Sequence, residues 1–237
     1  MGYSLLSQCQ EIKRYPWEDG TLTEQHYVNN VLKKQKIFYA SGNIRSETNF
    51  ESEVPNHGTY REWYGNGQIK EYRKLNINQE GKAEGWDNDG RLRYKTVYTK
   101  DREATKAYFP NGQLSRTYTK KYNRLNGKDT YWYENGRLKQ ETNYIDGKFN
   151  GSNKHWHENG QLRYEGNCID GKAHGDYKIW NEKGVLAAEG SLDMGKLLWE
   201  KYYYDSGKLK KEKNYTQDAS SPNVKCFDEY GNLTECQ

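Results

Sequence analysis

The sequence predicts an all-β fold, an elongated antiparallel array of about ten β-hairpins arranged as a meander or solenoid. The first observation is a glycine that recurs every 22 to 25 residues, usually with an aromatic residue four positions before it and Leu or Ile two positions after it. The second is composition, because 33% of the 237 residues are hydrophobic but 14% are aromatic, unlike a disordered chain. Such a period indicates repeats that bury apolar surface against their neighbours. The turn glycines are Gly20, Gly42, Gly67, Gly90, Gly112, Gly136, Gly160, Gly184, Gly207 and Gly231.

Each repeat contains two turn signals. Asn135-Gly136 and Asn159-Gly160 stand between apolar residues, and Asn-Gly is a strong hairpin signal because Gly tolerates the positive φ that the turn needs. A second signal follows each of them, at Asp146-Gly147 and Asp170-Gly171. We therefore expect two short strands and two turns per repeat, with each hairpin added beside the last. Trp17 lies one place off the aromatic column, so the first copy is expected to be an irregular cap.

Period-two alternation predicts which side chains share a face of the sheet. We expect the aromatic residue, the Leu or Ile and the residue eight positions after the glycine to form the core face, so that Trp156, for example, lies beside Leu162. The opposite face should carry a basic residue three positions after the glycine and Glu five positions after it, and these opposite charges can form cross-strand ladders. The charged face would be either an electrostatic docking surface or a solvated surface of mixed charge. In most copies the residue three positions before the glycine is aromatic. We expect these residues to form a stripe, either exposed among these charges or packed over neighbouring strands. Its members are Tyr39, Tyr64, Phe109, Tyr133, His157 and Tyr204.

The best-formed copy resembles a known repeat. Residues 132–151 read WYENGRLKQETNYIDGKFNG, which is similar to the second type of MORN repeat, as found in the YwqK family of bacterial antitoxins. The resemblance covers about residues 15–237 and is strongest from Gly127 to Tyr215. It implies a β-hairpin array and an antitoxin or immunity role, in which the protein binds and neutralises a cognate toxin.

The composition bounds the organisation and the class of partner. The formal net charge is +4, from 37 basic and 33 acidic residues, which does not favour a nucleic-acid partner. No run of apolar residues approaches the length of a membrane span. We predict an N-terminal arm over residues 1–14, either an ordinary arm or the remnant of a targeting segment, followed by a single repeat domain over residues 15–237.

Residue patterns for catalysis or metal binding are weak. His155 and His157 flank Trp156, but no HExxH spacing, phosphate loop or GxSxG elbow accompanies them. We therefore expect surface histidines, and predict no catalytic residue, no metal and no cofactor. An enzyme that uses the histidines is the least favoured alternative.

The cysteines bear on the cellular compartment. Cys226 and Cys236 flank the last turn and could form a disulfide, which would indicate an oxidising compartment such as the periplasm. The alternative is two reduced thiols in the cytosol. The localisation stays open, with the bacterial cell envelope slightly favoured over the cytoplasm.

Together these observations predict a non-enzymatic protein-binding module, an antitoxin or immunity protein that blocks a toxin by steric occlusion. Aromatic residues and Arg are enriched in protein interfaces, so the stripe and its charged neighbours are the predicted partner-binding site. The alternative is a cell-envelope structural or adhesion module that binds glycan or lipid. The predicted partner-binding residues are Tyr64, Tyr133, His157, Tyr204, Arg163 and Glu165.

Overall fold

The computed structural model describes residues 10–52, 57–215 and 222–236. Every regular element in these ranges is a β-strand, and the pairings within each unit are antiparallel between chain neighbours. This confirms the predicted all-β hairpin array. The chain divides into two compact units, Met1–Gly112 and Gln113–Gln237, whereas the sequence predicted one repeat domain over residues 15–237.

Unit 1 is a meander of nine strands in which each strand pairs with the next along the chain. Residues 10–14, which the sequence assigned to an N-terminal arm, belong to the first strand and pair with the second. Residues 1–9 lie outside the described ranges. The strands are β1 (Gln10–Pro16), β2 (Leu22–Val28), β3 (Val31–Phe38), β4 (Ile44–Phe50), β5 (Gly58–Trp63), β6 (Ile69–Leu75), β7 (Gly81–Trp86), β8 (Leu92–Thr99) and β9 (Arg102–Tyr108).

Unit 2 continues the same sequential pairing. Two of its strands are split just before Gly127 and Gly175, which have φ values of 92° and 82°, and each split leaves a piece of 2 residues before the main strand. The strands are β10 (Leu114–Lys121), β11 (Arg124–Leu125), β12 (Gly127–Trp132), β13 (Leu138–Ile145), β14 (Lys148–Trp156), β15 (Leu162–Ile169), β16 (Lys172–Ala173), β17 (Gly175–Trp180), β18 (Leu186–Asp193), β19 (Lys196–Tyr203), β20 (Leu209–Asn214), β21 (Asn223–Phe227) and β22 (Leu233–Thr234).

The turn at the recurring glycine is a three-residue loop. In the copy at Gly160, the glycine N–H donates to the His157 carbonyl at 2.9 Å, and the His157 N–H donates to the Gln161 carbonyl at 2.8 Å. Gly160 has a φ of 92°, whereas Asn159 keeps an ordinary negative φ and accepts the Gln161 N–H on its side chain at 2.9 Å. A type I turn followed by a left-handed glycine is the usual three-residue hairpin, so Gly supplies the positive φ and Asn fixes the loop.

The second turn of a repeat is a two-residue hairpin turn. Asp146 and Gly147 have φ values of 49° and 83°, and Asp170 and Gly171 have 54° and 84°. Two consecutive positive φ values define the type I′ turn, which matches the twist of the strands that it joins. The glycine N–H also donates to the preceding repeat, from Gly171 to the Phe149 carbonyl at 2.8 Å, so neighbouring turns are tied together.

The predicted register of the aromatic and aliphatic columns is confirmed. Trp132 lies opposite Leu138, Trp156 opposite Leu162, and the later copies follow the same pattern. A β-bulge follows directly, because the register shifts by one residue next to each Trp. A bulge places two residues of one strand opposite a single residue of the other, and it changes which side chains share a face.

The bulge corrects the predicted assignment of faces. The extra residue of this bulge, Arg163, lies on β15 and not on β14. Trp156 and Lys154 of β14 therefore point to the same side, and Glu165 lies opposite Lys154 on that side. Contact confirms this in a later copy, where the hydroxyl of Tyr203, which occupies the Trp position, donates to Glu189 at 2.6 Å. The aromatic and aliphatic columns therefore share the side of the charged Glu and Lys residues, which we call the ladder face.

The opposite side, which we call the tyrosine face, is the more buried one. It carries Thr142 and Asp129, each 1% exposed, and also Ala83 at 1%. Among the described residues only four hydrophobic residues are buried: Leu75, Ala83, Ala188 and Cys226. The core is therefore thin and largely built of Thr, Tyr and small residues. Of the three columns predicted for the core face, the Trp and Leu columns lie on the ladder face, whereas Leu75, from the column eight positions after the glycine, is buried on the tyrosine face.

Small residues on the tyrosine face make room for aromatic rings. A Cβ placed on Gly85 would lie 2.2 Å from the Tyr94 ring, and one on Gly190 would lie 2.7 Å from the Tyr177 ring and 2.7 Å from the Trp199 carbonyl oxygen. Rings that cover glycines of neighbouring strands compensate for the side chain that glycine lacks. These close approaches explain how a sheet so poor in aliphatic residues packs.

Candidate partner-binding site

The aromatic stripe lies at the glycine-turn end of the strands, and its polar atoms bond to the next repeat. The Tyr64 hydroxyl donates to the Trp86 carbonyl at 2.9 Å, and the Tyr133 hydroxyl donates to the Trp156 carbonyl at 2.7 Å. His157 Nε2 lies 2.8 Å from the Trp180 carbonyl, which can only accept, so this nitrogen carries the proton. Tyr39 and Tyr204 make the same bond to Trp63 and Phe227, at 2.8 Å each.

These bonds are staples between consecutive repeats, and we call the residues that make them the staple residues: Tyr39, Tyr64, Tyr133, His157 and Tyr204. Their side chains are half-buried. A hydrogen bond to a backbone carbonyl fixes the ring and adds about 0.5–1.5 kcal/mol. The stripe therefore has a structural role in addition to its predicted role in binding, which stays a prediction.

Basic side chains lie over four of the staple rings. Lys70 Nζ is 5.9 Å from the centroid of the Tyr64 ring, and Lys139 Nζ is 5.4 Å from that of Tyr133. Arg45 and Lys210 take the same position over Tyr39 and Tyr204, at 5.9 and 5.3 Å. These are the basic residues three positions after the glycine. They therefore join the stripe and not the Glu ladder that the sequence suggested.

Lys70 shows why the bulge groups the residues in this way. Its Nζ lies 2.8 Å from Glu62 Oε1, and Glu62 lies opposite Glu71, the residue that follows Lys70. Lys70 and Glu71 thus approach the same residue of the facing strand, as the two residues of a bulge do. The aromatic stripe and its cations therefore lie at the turn end of the tyrosine face.

Five of the six predicted partner-binding residues lie in unit 2, and the structure does not bring these five together. Arg163 is exposed. Burial is the main cause that lowers the pKa of His155, and the positive charge of Arg163 lowers this pKa further. Glu165 points to the ladder face, where its Oε2 lies 3.5 Å from Lys154 Nζ. In unit 2, Tyr133 and His157 are two strands apart, a distance of about 10 Å, and His157 and Tyr204 are four strands apart, a distance of about 20 Å.

Opposite charges alternate along the ladder face, perpendicular to the strands. In unit 2 the charges alternate without interruption over eight strands, and each residue lies opposite the next. These residues are Glu141, Lys154, Glu165, Lys178, Glu189, Lys201, Glu212 and Lys225. Each pair contributes about 0.2–1 kcal/mol, and the alternation leaves the row locally neutral.

Unit 1 begins with the same arrangement. Arg14 Nε lies 2.9 Å from Glu24 Oε2, and Arg61 lies 3.7 Å from Glu47. Tyr72 then interrupts the alternation of charge, with the guanidinium of Arg61 5.4 Å from its ring centroid. The row in register is Arg14, Glu24, Lys36, Glu47, Arg61, Tyr72, Glu84 and Lys95.

Two ionic clusters on the tyrosine face escaped sequence reasoning. Asp129 accepts two bonds from Arg116, at 2.9 and 2.7 Å, and the Arg116 guanidinium lies between the rings of Tyr118 and Tyr131. Bidentate Arg–carboxylate pairs are strong, and here the carboxylate is buried. The sequence signal was present only as an acidic residue at a position that varies from copy to copy, where Ala83 and Tyr177 stand in two others.

The second cluster surrounds Glu200. Tyr177 and Tyr215 donate to its two oxygens at 2.9 and 3.0 Å, and Lys213 Nζ lies 3.6 Å away. Burial acts to raise the pKa of Glu200, but these hydrogen bonds and the lysine charge outweigh it and hold the pKa below its ordinary value. Burial, followed by the bond to Glu200, raises the pKa of Tyr177.

Unit 1 contains a cavity of about 380 Å³ beside β4 and β5. Arg73 lines it and places Nε in a buried position without a hydrogen-bond partner in the described residues, while its terminal nitrogen donates to Glu71 Oε1 at 2.6 Å. An unsatisfied guanidinium N–H suits a carboxylate oxygen. The lining residues are Thr48, Asn49, Phe50, His57, Gly58, Thr59, Tyr60, Glu71 and Arg73.

Within the described ranges, no group of three or more His, Cys, Asp or Glu side chains is placed to hold a metal ion. The same ranges contain no helix that could cross a membrane. Cys226 and Cys236 are joined by a disulfide with a Cα–Cα distance of 5.3 Å, and Cys168 is a half-buried thiol whose pKa is raised by burial.

The family comparison matches the repeats. The model of the MORN repeat variant matches residues 33–52, 56–73, 125–146, 149–167 and 200–217. These five segments are MORN-type repeats. Each of the five matched segments contains strand residues of the array and one staple residue. In chain order these are Tyr39, Tyr64, Tyr133, His157 and Tyr204.

The other comparisons add no functional information. No curated protein matches the chain. Among solved structures, the TcdB2-TccC3-Cdc42 crystal structure is 12% identical with a TM-score of 0.19, covering 88% of this chain but only 15% of that one. A protein described as a 6-phosphogluconolactonase from Bacteroides uniformis is 13% identical with a TM-score of 0.18, covering 93% of this chain and 82% of that one. With TM-scores this low, neither similarity carries an argument.

Proposed function

We propose that this MORN-type repeat chain is a non-enzymatic protein-binding module, and that it acts as an antitoxin or immunity protein. Its stripe of staple residues and cations would cover a toxin's active site and block it sterically. The resemblance to the YwqK antitoxins suggests a toxin as the partner. The disulfide supports a location in an oxidising compartment, such as the cell envelope.

One observation carries the binding proposal: the recurrence of a basic side chain over a tyrosine ring that is itself hydrogen-bonded to the next repeat. Aromatic residues supply large contact area, and the backbone bond removes most of the ring's freedom before a partner arrives. A pre-organised surface loses less entropy on binding. The cations favour a partner with an acidic surface.

The test is co-expression of the chain with the toxin-like protein encoded beside its gene, read out as growth rescue and as affinity of the purified pair. The stripe variant combines Lys139→Glu with Arg163→Glu. The control combines Lys148→Glu with Lys172→Glu, which makes the same charge change at the other end of the strands. We expect the stripe variant to weaken binding roughly 10-fold or more and the control to change it about 2-fold or less.

Absence of rescue by the wild-type chain, or equal losses for the two variants, contradicts the proposal. Binding to a glycan array or to lipid vesicles without binding to the toxin would support the cell-envelope alternative instead.

A further inference from the structure

The first strand, β1, has one edge with which no described strand pairs. Among the described residues it pairs only with β2, and all seven of its residues are exposed. Ile12 is 52% exposed and lies near the middle of the strand. An edge strand with unpaired backbone groups can pair with a strand of another chain unless its side chains prevent it.

The hairpin geometry shows which backbone groups point outward. The Trp17 N–H donates to the Thr21 carbonyl, so Trp17 directs its backbone groups toward β2. The register between β1 and β2 runs without a bulge from Pro16 to Gln10. Because these directions alternate along an antiparallel strand, Gln10, Ile12 and Arg14 direct their N–H and C=O groups away from β2.

We propose that this edge pairs with the β1 edge of a second copy of the chain, in an antiparallel register with Ile12 opposite Ile12 on the two-fold axis. In this register Gln10 lies opposite Arg14 of the other copy. Gln10, Ile12 and Arg14 then form hydrogen-bonded pairs, giving about six backbone hydrogen bonds. The pairing uses only described residues.

Charge selects this register over its neighbours. A two-fold axis perpendicular to the sheet keeps the same face of both copies on one side of the joined sheet. The possible registers then differ in which β1 residue lies on the axis, opposite the same residue of the other copy. With Ile12 at the axis, Glu11 lies opposite Lys13 of the other copy. Moving the axis to Glu11, Lys13 or Arg14 places two like charges directly opposite, which is destabilising. Charged residues usually protect an edge, but here their order makes the edge self-complementary.

The monomer already holds the two charges in position. Lys13 Nζ lies 3.4 Å from Glu11 Oε2 within the same strand, and both side chains point to the same face. A double variant that exchanges the two residues, Glu11→Lys with Lys13→Glu, keeps an ion pair within the strand. In the dimer this double variant also keeps opposite charges at positions 11 and 13 of the two copies. A change of only one of the two residues places like charges opposite each other there.

The test is sedimentation equilibrium of the full chain and three variants, with circular dichroism to verify folding. We expect a wild-type dimer, roughly 10-fold weaker association for Glu11→Lys or Lys13→Glu, and restoration to within about 3-fold in the double variant with both changes. Lys33→Glu, on the exposed side of β3, is the control and should leave the dimer unchanged.

A wild-type chain that stays monomeric at the highest soluble concentration overturns the proposal. A dimer that is indifferent to the single reversals, or that the double exchange does not restore, overturns the β1 register. A chain that is monomeric by itself and pairs only with a strand of another protein also overturns the proposal.

Discussion

At the residue scale, the defining feature of this molecule is a side chain that bonds to the backbone of the following repeat. The Tyr133 hydroxyl reaches the Trp156 carbonyl, and His157 makes the equivalent bond with an imidazole N–H. Asn159, next to the turn glycine, also donates to the Glu182 carbonyl of the next repeat at 2.7 Å. These contacts explain why an aromatic and an Asn recur at fixed distances from the glycine.

Removing one staple hydroxyl should lower stability by a measurable amount. We expect Tyr133→Phe to reduce the free energy of unfolding by about 0.5–1.5 kcal/mol, because the Trp156 carbonyl loses its donor while the ring remains. Urea denaturation measures the change. Tyr122→Phe removes a hydroxyl from a residue that is 75% exposed and should change stability by less than about 0.5 kcal/mol. Equal effects of the two variants would contradict the staple.

The buried carboxylate should matter far more than an exposed one. We expect Asp129→Ala to cost about 3 kcal/mol, the lower end for a broken buried pair, because Arg116 keeps partial contact with water while losing both bonds. Glu165→Ala breaks the more exposed pair with Lys154 and should cost about 0–1 kcal/mol. Thermal and urea unfolding compare the two, and a cost for Asp129→Ala no larger than that for Glu165→Ala would refute this ranking.

At the scale of the element, the β-bulge next to each Trp decides what each strand presents. It separates the basic residues three positions after the glycine from the Glu residues five positions after it, and it moves the former to the stripe. Hairpin turns at both ends fix the register, so the bulge is repeated in each well-formed copy. The two faces therefore differ, one with an alternating charge row and the other with tyrosines over small residues.

Aromatic rings pack so closely on some glycines that a side chain at these positions should destabilise the fold. We expect Gly190→Ala to cost about 1–3 kcal/mol, because the new Cβ would lie 2.7 Å from the backbone carbonyl oxygen of Trp199 as well as against the Tyr177 ring. Gly65→Ala is the control, since a Cβ there meets nothing within 4 Å and the φ is not left-handed. Urea denaturation should show little change for the control, and a tolerated Gly190→Ala would contradict the packing described.

Pattern reasoning predicted the strands, the turns and the opposition of Trp156 to Leu162, because these follow from local periodicity and turn chemistry. It assigned the Trp and Leu columns to the wrong face. Period-two alternation assumes an uninterrupted strand, and nothing in the sequence marks the bulge as Gly marks a turn. The Asp129–Arg116 pair was missed for another reason, since it joins residues on two strands in a single copy and leaves no periodic signal.

At the scale of the whole molecule, tyrosines take the place that aliphatic side chains have in most protein cores. We therefore expect the free energy of unfolding to fall at high pH. Burial, followed by nearby carboxylates, raises the pKa of Tyr60 and Tyr94 to about 12, and burial with the Glu189 bond raises that of Tyr203 to about 12. A group whose folded pKa is raised stabilises the fold fully below its unfolded pKa, about 10 for tyrosine. That stability is lost as the pH rises toward 12.

The pH dependence can be measured directly. We expect the free energy of unfolding to fall between about pH 10 and 12, and some of the 22 tyrosines to ionise only near pH 12 in a titration followed by ultraviolet absorbance. Tyr203→Phe should make the decline less steep. Stability that stays constant to pH 12, or uniform ionisation near pH 10, would contradict the burial of these hydroxyls.

Repeats joined by neighbour-to-neighbour staples should also respond locally when one staple is removed, since each copy contacts only the copies beside it. The most direct measurement is amide hydrogen exchange of the Tyr133→Phe variant, followed by mass spectrometry. We predict faster exchange in peptides that cover the glycine turns around Tyr133 and Trp156, with no change in residues 10–112. Exchange that is unchanged at both turns, or accelerated evenly along the chain, would contradict the account.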